Sequence, residues 1–597
     1  MITSEQQKRL FSANEVVHQI LKDAESVQVA RNFLMAYIEE LSRFLHQSAL
    51  KIKGLEYDVQ LSCLNVFRTL ISVRSERLTR YSLLKQLWLL ANERYDKISP
   101  QMNQAFIEEM HHLFLGMRGQ SGIYRHTEPP RFLGLAKREA ALVRSEELDV
   151  MAAAADSFLK RYPCGLDPEV IERRDENRRR IMRRLQANEN DWDDYRWHMR
   201  NVIRTSGQLA QLVELTDEER QAIDFARESR IPFGITPYYV SLMDYEHHRR
   251  NDHAIRAQVI PPLFYVKTMA EKRQNGCEEL DFMREQDTSP VNLVTRRYPN
   301  IAIFKPFNTC SQICVYCQRN WEIEDVLMPT AMASKANIIA ALEWLRAHPA
   351  INEILITGGD PLVMSDERLQ FLLAAVADIP HVERIRIGTR TPVVLPQRIT
   401  DELMDIIATY HVPGRREVAL VTHFEHPYEI TPEAMAAVQQ FRRRGLSVYN
   451  QAVFTIENSR KFELTALRKW LRLIGVDSYY TFNTKGKEET RNYRVPMARL
   501  QQEVKEEARL MPGLVRTDEP VYNVPRLGKN YLRAVQHHTL LTILPNGSRV
   551  YEFHPWEKNL ALVDTYIDVD VPIYDYLKEL ERRGENPDDY RTIWYYF

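Results

Sequence analysis

Six short apolar segments, each followed by an amphipathic one, restrict the fold of this chain more than any other feature. The spacing of their apolar residues predicts strands and helices respectively. Repeated strand–helix–strand units give a parallel sheet with right-handed crossovers. Six strands suit an open or partial (β/α) barrel, whose chemistry lies at the C-terminal ends of the strands. The predicted strands are 301–304, 354–357, 384–387, 418–421, 447–453 and 478–482, and the helices are 333–347, 366–377, 401–409, 432–444 and 464–473.

The regions that flank this barrel have different patterns. Residues 1–190 show apolar positions every three or four residues and are predicted to be helical almost throughout. Beyond residue 511 the sequence favours strands and loops, including a hairpin of 539–544 and 548–553. The predicted fold class is therefore α/β: a partial (β/α)6 barrel with an all-α N-terminal region and a small C-terminal α+β segment. The predicted domains are a helical extension of unknown role (1–190), a helical part of the core (191–290), the barrel (291–512) and the C-terminal segment (513–597).

Composition excludes several classes of protein. The net charge of −1 gives no electrostatic reason to expect nucleic acid or an anionic membrane as a partner. No apolar run approaches the roughly 20 residues that span a bilayer, and the N-terminus lacks the apolar stretch of a secretion signal. We therefore expect a cytoplasmic protein. The basic segment 172–185 is interpreted as a solvated helix face rather than as a site for an anionic partner.

Three of the six cysteines form a C-x3-C-x2-C motif directly after the first barrel strand. Cys310, Cys314 and Cys317 have the number and spacing needed to hold three irons of a cubane [4Fe–4S] cluster. The fourth iron stays open to an exogenous ligand such as S-adenosylmethionine (SAM). A closed zinc site is the alternative, but it requires four ligands, and no nearby residue completes one. The remaining cysteines are isolated and are predicted to be buried small hydrophobes: Cys63, Cys164 and Cys277.

The second strand ends in the sequence Thr-Gly-Gly-Asp-Pro, at residues 357–361. This turn resembles the "GGE" element of the radical SAM superfamily, whose backbone meets the SAM amino group. The resemblance implies that Gly358, Gly359 and Asp360 contact SAM, with glycine required because the main chain approaches the ligand. Tyr316, just before the last cysteine, is expected to pack against the adenine.

Several further segments, in chain order, resemble the lysine 2,3-aminomutase family. They are DWDDYRWHMRNVIRT, ITPYYVSLMD, RYP before the cluster, GDPL, IRIGTRTPVVLP, THFEHPYEI and NQAV. The resemblance covers residues 191–597, about two-thirds of the chain, and leaves the first 190 residues outside it. It implies a [4Fe–4S] cluster, SAM and pyridoxal 5′-phosphate (PLP) as cofactors. It also implies cofactor contacts by Arg390, His423 and Gln451.

The PLP residues follow from the same resemblance. Lys529, at the end of VPRLGK, matches the lysine that holds PLP, although most of the family's glycine run is missing here. Arg297 and Tyr298 match the phosphate-binding residues. Ile301 stands where the family has a second phosphate-binding arginine, a loss that weakens the motif because guanidinium groups bind phosphate bidentately.

Substrate residues can also be carried over. Arg319 matches the arginine that binds the substrate α-carboxylate, which favours an α-amino acid. Ser459 and Asn523 occupy the positions of two aspartates that bind the distal ammonium of lysine. Without those carboxylates free lysine is disfavoured. A polar or acidic side chain such as that of glutamate fits better, with Arg460 or Lys461 as the counter-charge.

The predicted function is that of an isomerase. It moves an amino group from C2 to C3 of an α-amino acid through a 5′-deoxyadenosyl radical, with the substrate amine bound to PLP. We expect an external reductant such as flavodoxin or ferredoxin, and a homo-oligomer. Two alternatives remain open: a PLP-independent radical SAM enzyme acting on another small molecule or a protein side chain, and a non-enzymatic scaffold with a structural or sensory cluster.

Overall fold

The computed structural model describes residues 2–48, 54–123, 130–248, 251–276, 280–483, 487–556, 558 and 565–597. The chain forms two compact units. The larger one comprises Asp156–Arg494 and Met511–Gly528, and the smaller one comprises Met1–Ala155, Val495–Leu510 and Lys529–Phe597.

A sheet of mostly parallel strands is the centre of the larger unit. A short antiparallel strand precedes the six predicted ones, and a further parallel strand follows them, so that the strands lie side by side in chain order. The predicted partial barrel is confirmed, and each of the six strands is one to three residues longer than predicted. The strands are β1 Val294–Thr295, β2 Ile301–Phe307, β3 Glu353–Gly358, β4 Arg384–Gly388, β5 Glu417–Thr422, β6 Ser447–Phe454, β7 Asp477–Asn483 and β8 Glu519–Val524.

The face of the first four parallel strands that is turned towards the helices is apolar because the helices cover it. Ala302, Ile354, Ile385 and Val418 lie next to one another in register and are fully buried towards the helices. Alternate residues such as Leu355 face the barrel interior. The helices between the strands begin at Ser or Thr caps in several cases. They are α17 Lys335–Arg346, α18 Asp366–Ala377, α19 Thr391–Val394, α20 Asp401–Thr409, α21 Pro432–Arg443 and α22 Glu463–Leu473.

Among the described residues of the same unit, eight α-helices precede the sheet. The basic helix, α9 (Pro168–Arg184), was expected to present a solvated face, and this prediction is wrong for the arginines that face inward. Arg174 is 5% exposed and pairs bidentately with Glu433 at 2.6 Å, while Arg173 donates to the Tyr428 hydroxyl at 2.8 Å. The helices are α9 Pro168–Arg184, α10 Glu189–Asp193, α11 Tyr195–Arg200, α12 Ser206–Ala210, α13 Asp217–Glu228, α14 Pro237–Val240, α15 His253–Val259 and α16 Leu263–Gln274.

The smaller unit combines the N-terminal helices with a C-terminal sheet. Its antiparallel strands are β10 His538–Ile543, β11 Arg549–Phe553 and β12 Tyr566–Val569, so the predicted hairpin is confirmed. β9 (Gly528–Tyr531) begins at the last residue of the larger unit. The helices are α1 Ser4–Ser12, α2 Glu15–Asp23, α3 Val27–Ser48, α4 Gly54–Leu70, α5 Val73–Thr79, α6 Leu83–Ala91, α7 Gln104–Met117, α8 Lys137–Leu159 (which runs past the end of the unit), α23 Met497–Glu507 and α24 Ile573–Arg582.

Two further predictions concern the isolated cysteines and the absence of membrane-spanning segments. Cys63 and Cys164 are buried, as predicted, and Cys277 lies outside the described residues. Within the described part of the chain, every helix is too short or too polar to cross a membrane.

Candidate functional site

The three motif cysteines lie on the loop that follows β2, at the C-terminal end of the barrel. The loop is held by backbone hydrogen bonds to the preceding helical layer: Ile313 N donates to Gly234 O at 2.9 Å, and Val315 N donates to Gln258 O at 2.8 Å. All three thiols line one cavity of about 270 Å³. Burial raises the pKa of the Cys310 thiol well above its usual range. The Cys310 thiol therefore needs a positive partner in order to ionise.

The thiols are spaced too widely for one metal ion. Among the described residues, His253, His426 and Glu463 form the single group of three His, Cys, Asp or Glu whose ligand atoms all lie within 4.8 Å of one another. The three Sγ atoms therefore do not. A tetrahedral zinc would hold its sulfurs about 3.8 Å apart, since a Zn–S bond is about 2.3 Å long. Thiolates on separate irons of a cubane cluster are farther apart, so the donor set fits a cluster.

The glycines at the end of β3 are required by backbone packing. A methyl group at Gly359 would lie under 3.0 Å from the backbone N and O of Thr309, and one at Gly358 would lie 2.5 Å from Phe307 O. Asp360 N donates to Thr309 O at 2.8 Å. The Gly-Gly-Asp turn thus fits against the cysteine loop itself. We expected glycine there for the approach of a ligand, and the contacts give a second, sufficient reason.

The Asp360 side chain joins two strand ends. Its carboxylate accepts hydrogen bonds from Thr389 Oγ1 at 2.5 Å, Arg390 N at 2.9 Å and Leu362 N at 3.0 Å. Both oxygens are therefore used within the protein, although the residue lines the cavity.

Arg390 connects the cysteine loop to the end of β5. Its Nη1 donates to Cys314 Sγ at 2.8 Å, its Nε donates to His423 O at 3.1 Å, and its Nη2 pairs with Glu429 at 2.6 Å. Glu429 is fully buried and also accepts from the Tyr239 hydroxyl at 2.6 Å. The guanidinium supplies the positive charge that lowers the pKa of the Cys314 thiol against the raising effect of burial.

Three polar side chains, from β6 and from the segment that follows β5, also line the cavity. His423 and Glu425 continue the inward-facing alternation of β5, and Gln451 lies on β6. Burial and then Arg390 lower the pKa of His423 to about 4, so the imidazole is neutral at pH 7. Glu425 is 4% exposed, and burial raises its pKa to about 8. Tyr316 lines the same cavity and packs edge-on against Tyr493, with ring centroids 5.2 Å apart.

Arg319 also lines the cavity, and it pairs with Glu285. Its Nη2 lies 2.7 Å and its Nε 3.1 Å from the two carboxylate oxygens. Lys305 contacts the same carboxylate at 3.3 Å. Burial raises the pKa of Glu285, but these two cations hold it below its usual range. Nη1 of Arg319 has no partner among the described residues and is available to a carboxylate in the cavity.

Comparison with known proteins agrees with this site. The Radical SAM superfamily model matches residues 304–466. A KamA family protein of Methanocaldococcus jannaschii, itself uncharacterized, is 42% identical over 98% of this chain and 97% of its own. The chain belongs to the KamA family, the lysine 2,3-aminomutase family of radical SAM enzymes. Membership in this superfamily implies a [4Fe–4S] cluster and SAM.

Two relatives with stated activities match the core of the chain. Glutamate 2,3-aminomutase of Clostridioides difficile is 33% identical over 55% of this chain and 73% of its own. L-lysine 2,3-aminomutase of Clostridium subterminale is 38% identical over 44% of this chain and 59% of its own. The helical extension, by contrast, is shared with the Methanocaldococcus protein, whose match includes nearly the whole chain.

The residues that the aminomutase resemblance assigned to the distal end of the substrate do not all line the cavity. Asn523, on β8, lines the cavity. Ser459 is fully buried and is not among the residues that line it. Arg460 pairs with Glu463 at 2.6 Å, so its guanidinium occupies the group of possible metal ligands formed by His253, His426 and Glu463. The Lys461 ammonium lies 5.2 Å from the Phe158 ring centre, outside the cavity lining.

The residues predicted for PLP lie near the end of the larger unit. Arg297 donates from Nη1 to Arg526 O at 2.8 Å and from Nη2 to Met283 O. It therefore contacts the segment that leads to Lys529. Lys529 lies on β9, in the smaller unit, and is half-buried, as is Tyr298.

The structure adds site residues that sequence reasoning did not single out. Glu425 and Glu429 lie within the quoted segment THFEHPYEI, and their family motif was the available signal. Lys487 lines the cavity after β7, and no pattern in the sequence marks it.

Proposed function

We propose that this chain is a radical SAM aminomutase that moves the amino group of an α-amino acid from C2 to C3. The observation that carries the proposal is one cavity bounded by three widely spaced thiols, the Gly-Gly-Asp turn and Arg390 in a member of the KamA family. Radical SAM enzymes take an electron from an external reductant. When bound, SAM supplies a hydrogen-abstracting 5′-deoxyadenosyl radical, and PLP supplies an electron-accepting π-system.

The residues of this chain would hold and shield the substrate. Arg319 offers Nη1 to the α-carboxylate, and a guanidinium binds carboxylates with fixed geometry. Arg390 neutralises a thiolate at Cys314. The apolar wall keeps water from the reacting carbon, which protects a radical from side reactions; it consists of Leu355, Val394, Val421, Val453 and Phe482.

For the substrate we propose an amino acid with an acidic or polar side chain, of which glutamate is the first to test. Asn523 lines the cavity where a lysine-specific site would need a carboxylate. The carboxyl groups that do line it are Asp360, fully hydrogen-bonded, and Glu425, whose raised pKa leaves it protonated at neutral pH. Arg460 and Lys461, the counter-charges expected from the sequence, are not among the residues that line the cavity. The match to a glutamate 2,3-aminomutase supports glutamate as the first substrate to test.

A direct assay tests the proposal. The protein is reconstituted anaerobically with iron and sulfide and reduced, and SAM and PLP are added. It is then incubated separately with glutamate, glutamine and lysine, and β-amino products are measured by mass spectrometry. We expect β-glutamate or another polar β-amino acid, and at least tenfold less β-lysine. Cys314→Ser is the control without a complete cluster, and it should form no product. Faster turnover of lysine would contradict the substrate assignment.

A PLP-independent radical SAM reaction is the second candidate. It is favoured by Ile301 in place of a phosphate-binding arginine and by the use of Arg297 on two backbone carbonyls. Lys529→Ala separates the two candidates. If the variant loses both the PLP absorbance band and the formation of β-amino product, the aminomutase is supported. SAM cleavage in the parent protein with no β-amino product from any α-amino acid supports the second candidate. Failure to cleave SAM with an intact cluster supports the scaffold alternative.

A further inference from the structure

Lys487 reaches from the segment after β7 to the end of the cysteine loop. Its Nζ donates to the backbone oxygen of Cys317 at 2.8 Å and to Asn320 Oδ1 at 2.9 Å. The residue is 6% exposed and lines the cavity. A buried ammonium with fixed acceptors holds a definite position. This lysine is therefore placed beside the backbone of a proposed iron ligand.

The contact links two ends of the open barrel. In the sheet order, β2 and β7 are separated by four strands, and no ladder joins them among the described residues. Lys487 nonetheless bridges the loop after β2 and the segment after β7. On the loop side, Asn320 is fixed in turn, since its Nδ2 donates to the Tyr265 hydroxyl at 2.5 Å and to Val315 O at 3.3 Å. The Cys317 turn is thus anchored through a side chain rather than through sheet hydrogen bonds.

The charges around this contact do not cancel. Glu489, 1% exposed, lies 3.2 Å from Lys487 Nζ and 3.5 Å from Lys272 Nζ. Among the described residues, two ammonium groups share this one carboxylate, which is an excess of one positive charge beside Cys317. The other cationic groups of the site are balanced: Arg390 by Glu429, and Arg319 with Lys305 by Glu285 with Glu322. The excess positive charge is thus located at one side of the cysteine loop.

We propose that Lys487 is a positioning residue of the cluster: it anchors the Cys317 turn and, together with Lys272, makes the cluster easier to reduce. This inference rests on the proposed function, because it assumes a [4Fe–4S] cluster on the three cysteines. Reduction adds a negative charge to the cluster. A nearby buried positive charge stabilises the reduced state, and groups around the thiolates tune cluster potentials in this way.

The test measures the reduction potential and requires no turnover. The parent, Lys487→Met, Lys487→Arg and Lys272→Met are reconstituted anaerobically, iron and sulfide are counted, and the midpoint potential is found by titration with electron paramagnetic resonance detection. We expect Lys487→Met to lower the equilibrium constant for one-electron reduction about tenfold, which is 59 mV. Lys487→Arg should retain most of the parent potential. Lys272→Met, which leaves the bond to Cys317 intact, should shift it in the same direction as Lys487→Met.

Each outcome either supports or contradicts the proposed role of Lys487. A normal iron content and an unchanged midpoint in Lys487→Met would overturn the inference while leaving the proposed function standing. Loss of iron in Lys487→Met but not in Lys487→Arg supports the anchoring role. If both lose iron, Lys272→Met decides: a lower midpoint supports the inference and an unchanged one overturns it. A parent protein that binds no cluster would instead contradict the proposed function.

Discussion

At the scale of single residues, the buried acids of the site differ in how many partners each one has. Both oxygens of Asp360 and of Glu429 accept hydrogen bonds from the protein. In Glu425 only Oε2 does so, from Val453 N at 2.6 Å, and Oε1 has no partner among the described residues. A buried carboxyl with one unused oxygen favours its neutral form. Burial is accordingly the main cause of its raised pKa.

This pKa predicts a dependence of stability on pH. Between the ordinary carboxyl pKa and about 8, the folded chain holds a proton on Glu425 that the unfolded chain has lost, so this group reduces stability as pH rises. Glu425→Gln removes the effect. Between pH 5.5 and pH 7.5, the free energy of unfolding of the metal-free parent should fall by about 2 kcal/mol relative to that of the metal-free variant. Urea titrations at the two pH values measure it, and a difference independent of pH would contradict the raised pKa.

Arg526 shows how the chain departs from the family's glycine-rich segment. It has a φ of +68°, in the left-handed region, while its side chain is exposed. A non-glycine residue pays about 1–2 kcal/mol for this conformation. After allowance for the entropy of glycine, Arg526→Gly should raise the free energy of unfolding by roughly 0.5–1 kcal/mol. Denaturant titration checks this, and Arg516→Gly, at a φ of −109°, is the control that should not stabilise.

At the scale of elements, the end of β3 and the cysteine loop fit against each other without room for a side chain. Gly359→Ala would force the Thr309 backbone away and displace Cys310, the next residue. We expect this variant to lose most of its reconstituted iron. Gly207→Ala, in α12, has nothing within 4 Å of the added methyl group and should bind iron as the parent does. Iron per chain and visible absorbance measure both. Full iron binding by Gly359→Ala would show that the loop can move.

At the scale of the whole molecule, the smaller unit is assembled from distant parts of the chain. Arg549, on β11, and Glu109, on α7, are each 2% exposed and lie 3.0 Å apart. The N-terminal extension therefore completes the fold of the C-terminal sheet. This role agrees with the alignment of the Methanocaldococcus relative over nearly the whole chain.

Removing one partner of this pair leaves a buried charge uncompensated. Glu109→Gln should lower the free energy of unfolding by about 3–5 kcal/mol. Glu108→Gln is the matched control, since Glu108 pairs with the half-exposed Arg9 and should cost less than about 1 kcal/mol. Thermal unfolding followed by circular dichroism compares them. Equal losses in the two variants would mean that the buried pair does not hold the unit together.

The sequence by itself determined the barrel, the cysteine loop and the family. These depend on local periodicity, on the spacing of Cys310, Cys314 and Cys317 and on short motifs, and all of them are readable along the chain. It did not predict β8, whose Pro520 weakens the strand pattern and whose pairing with β7 joins distant residues.

Only the tertiary structure decided which polar groups face one another. Arg460 was expected near the substrate and is instead paired with Glu463, whereas Lys487, which no motif marks, contacts the Cys317 turn. Likewise the arginines of α9 look solvated in sequence, yet Arg174 is buried against Glu433. The physical reason is the same in each case. The partner of a buried charge is chosen by distance in space and by the cost of leaving that charge unpaired, and neither is encoded in the spacing of residues along the chain.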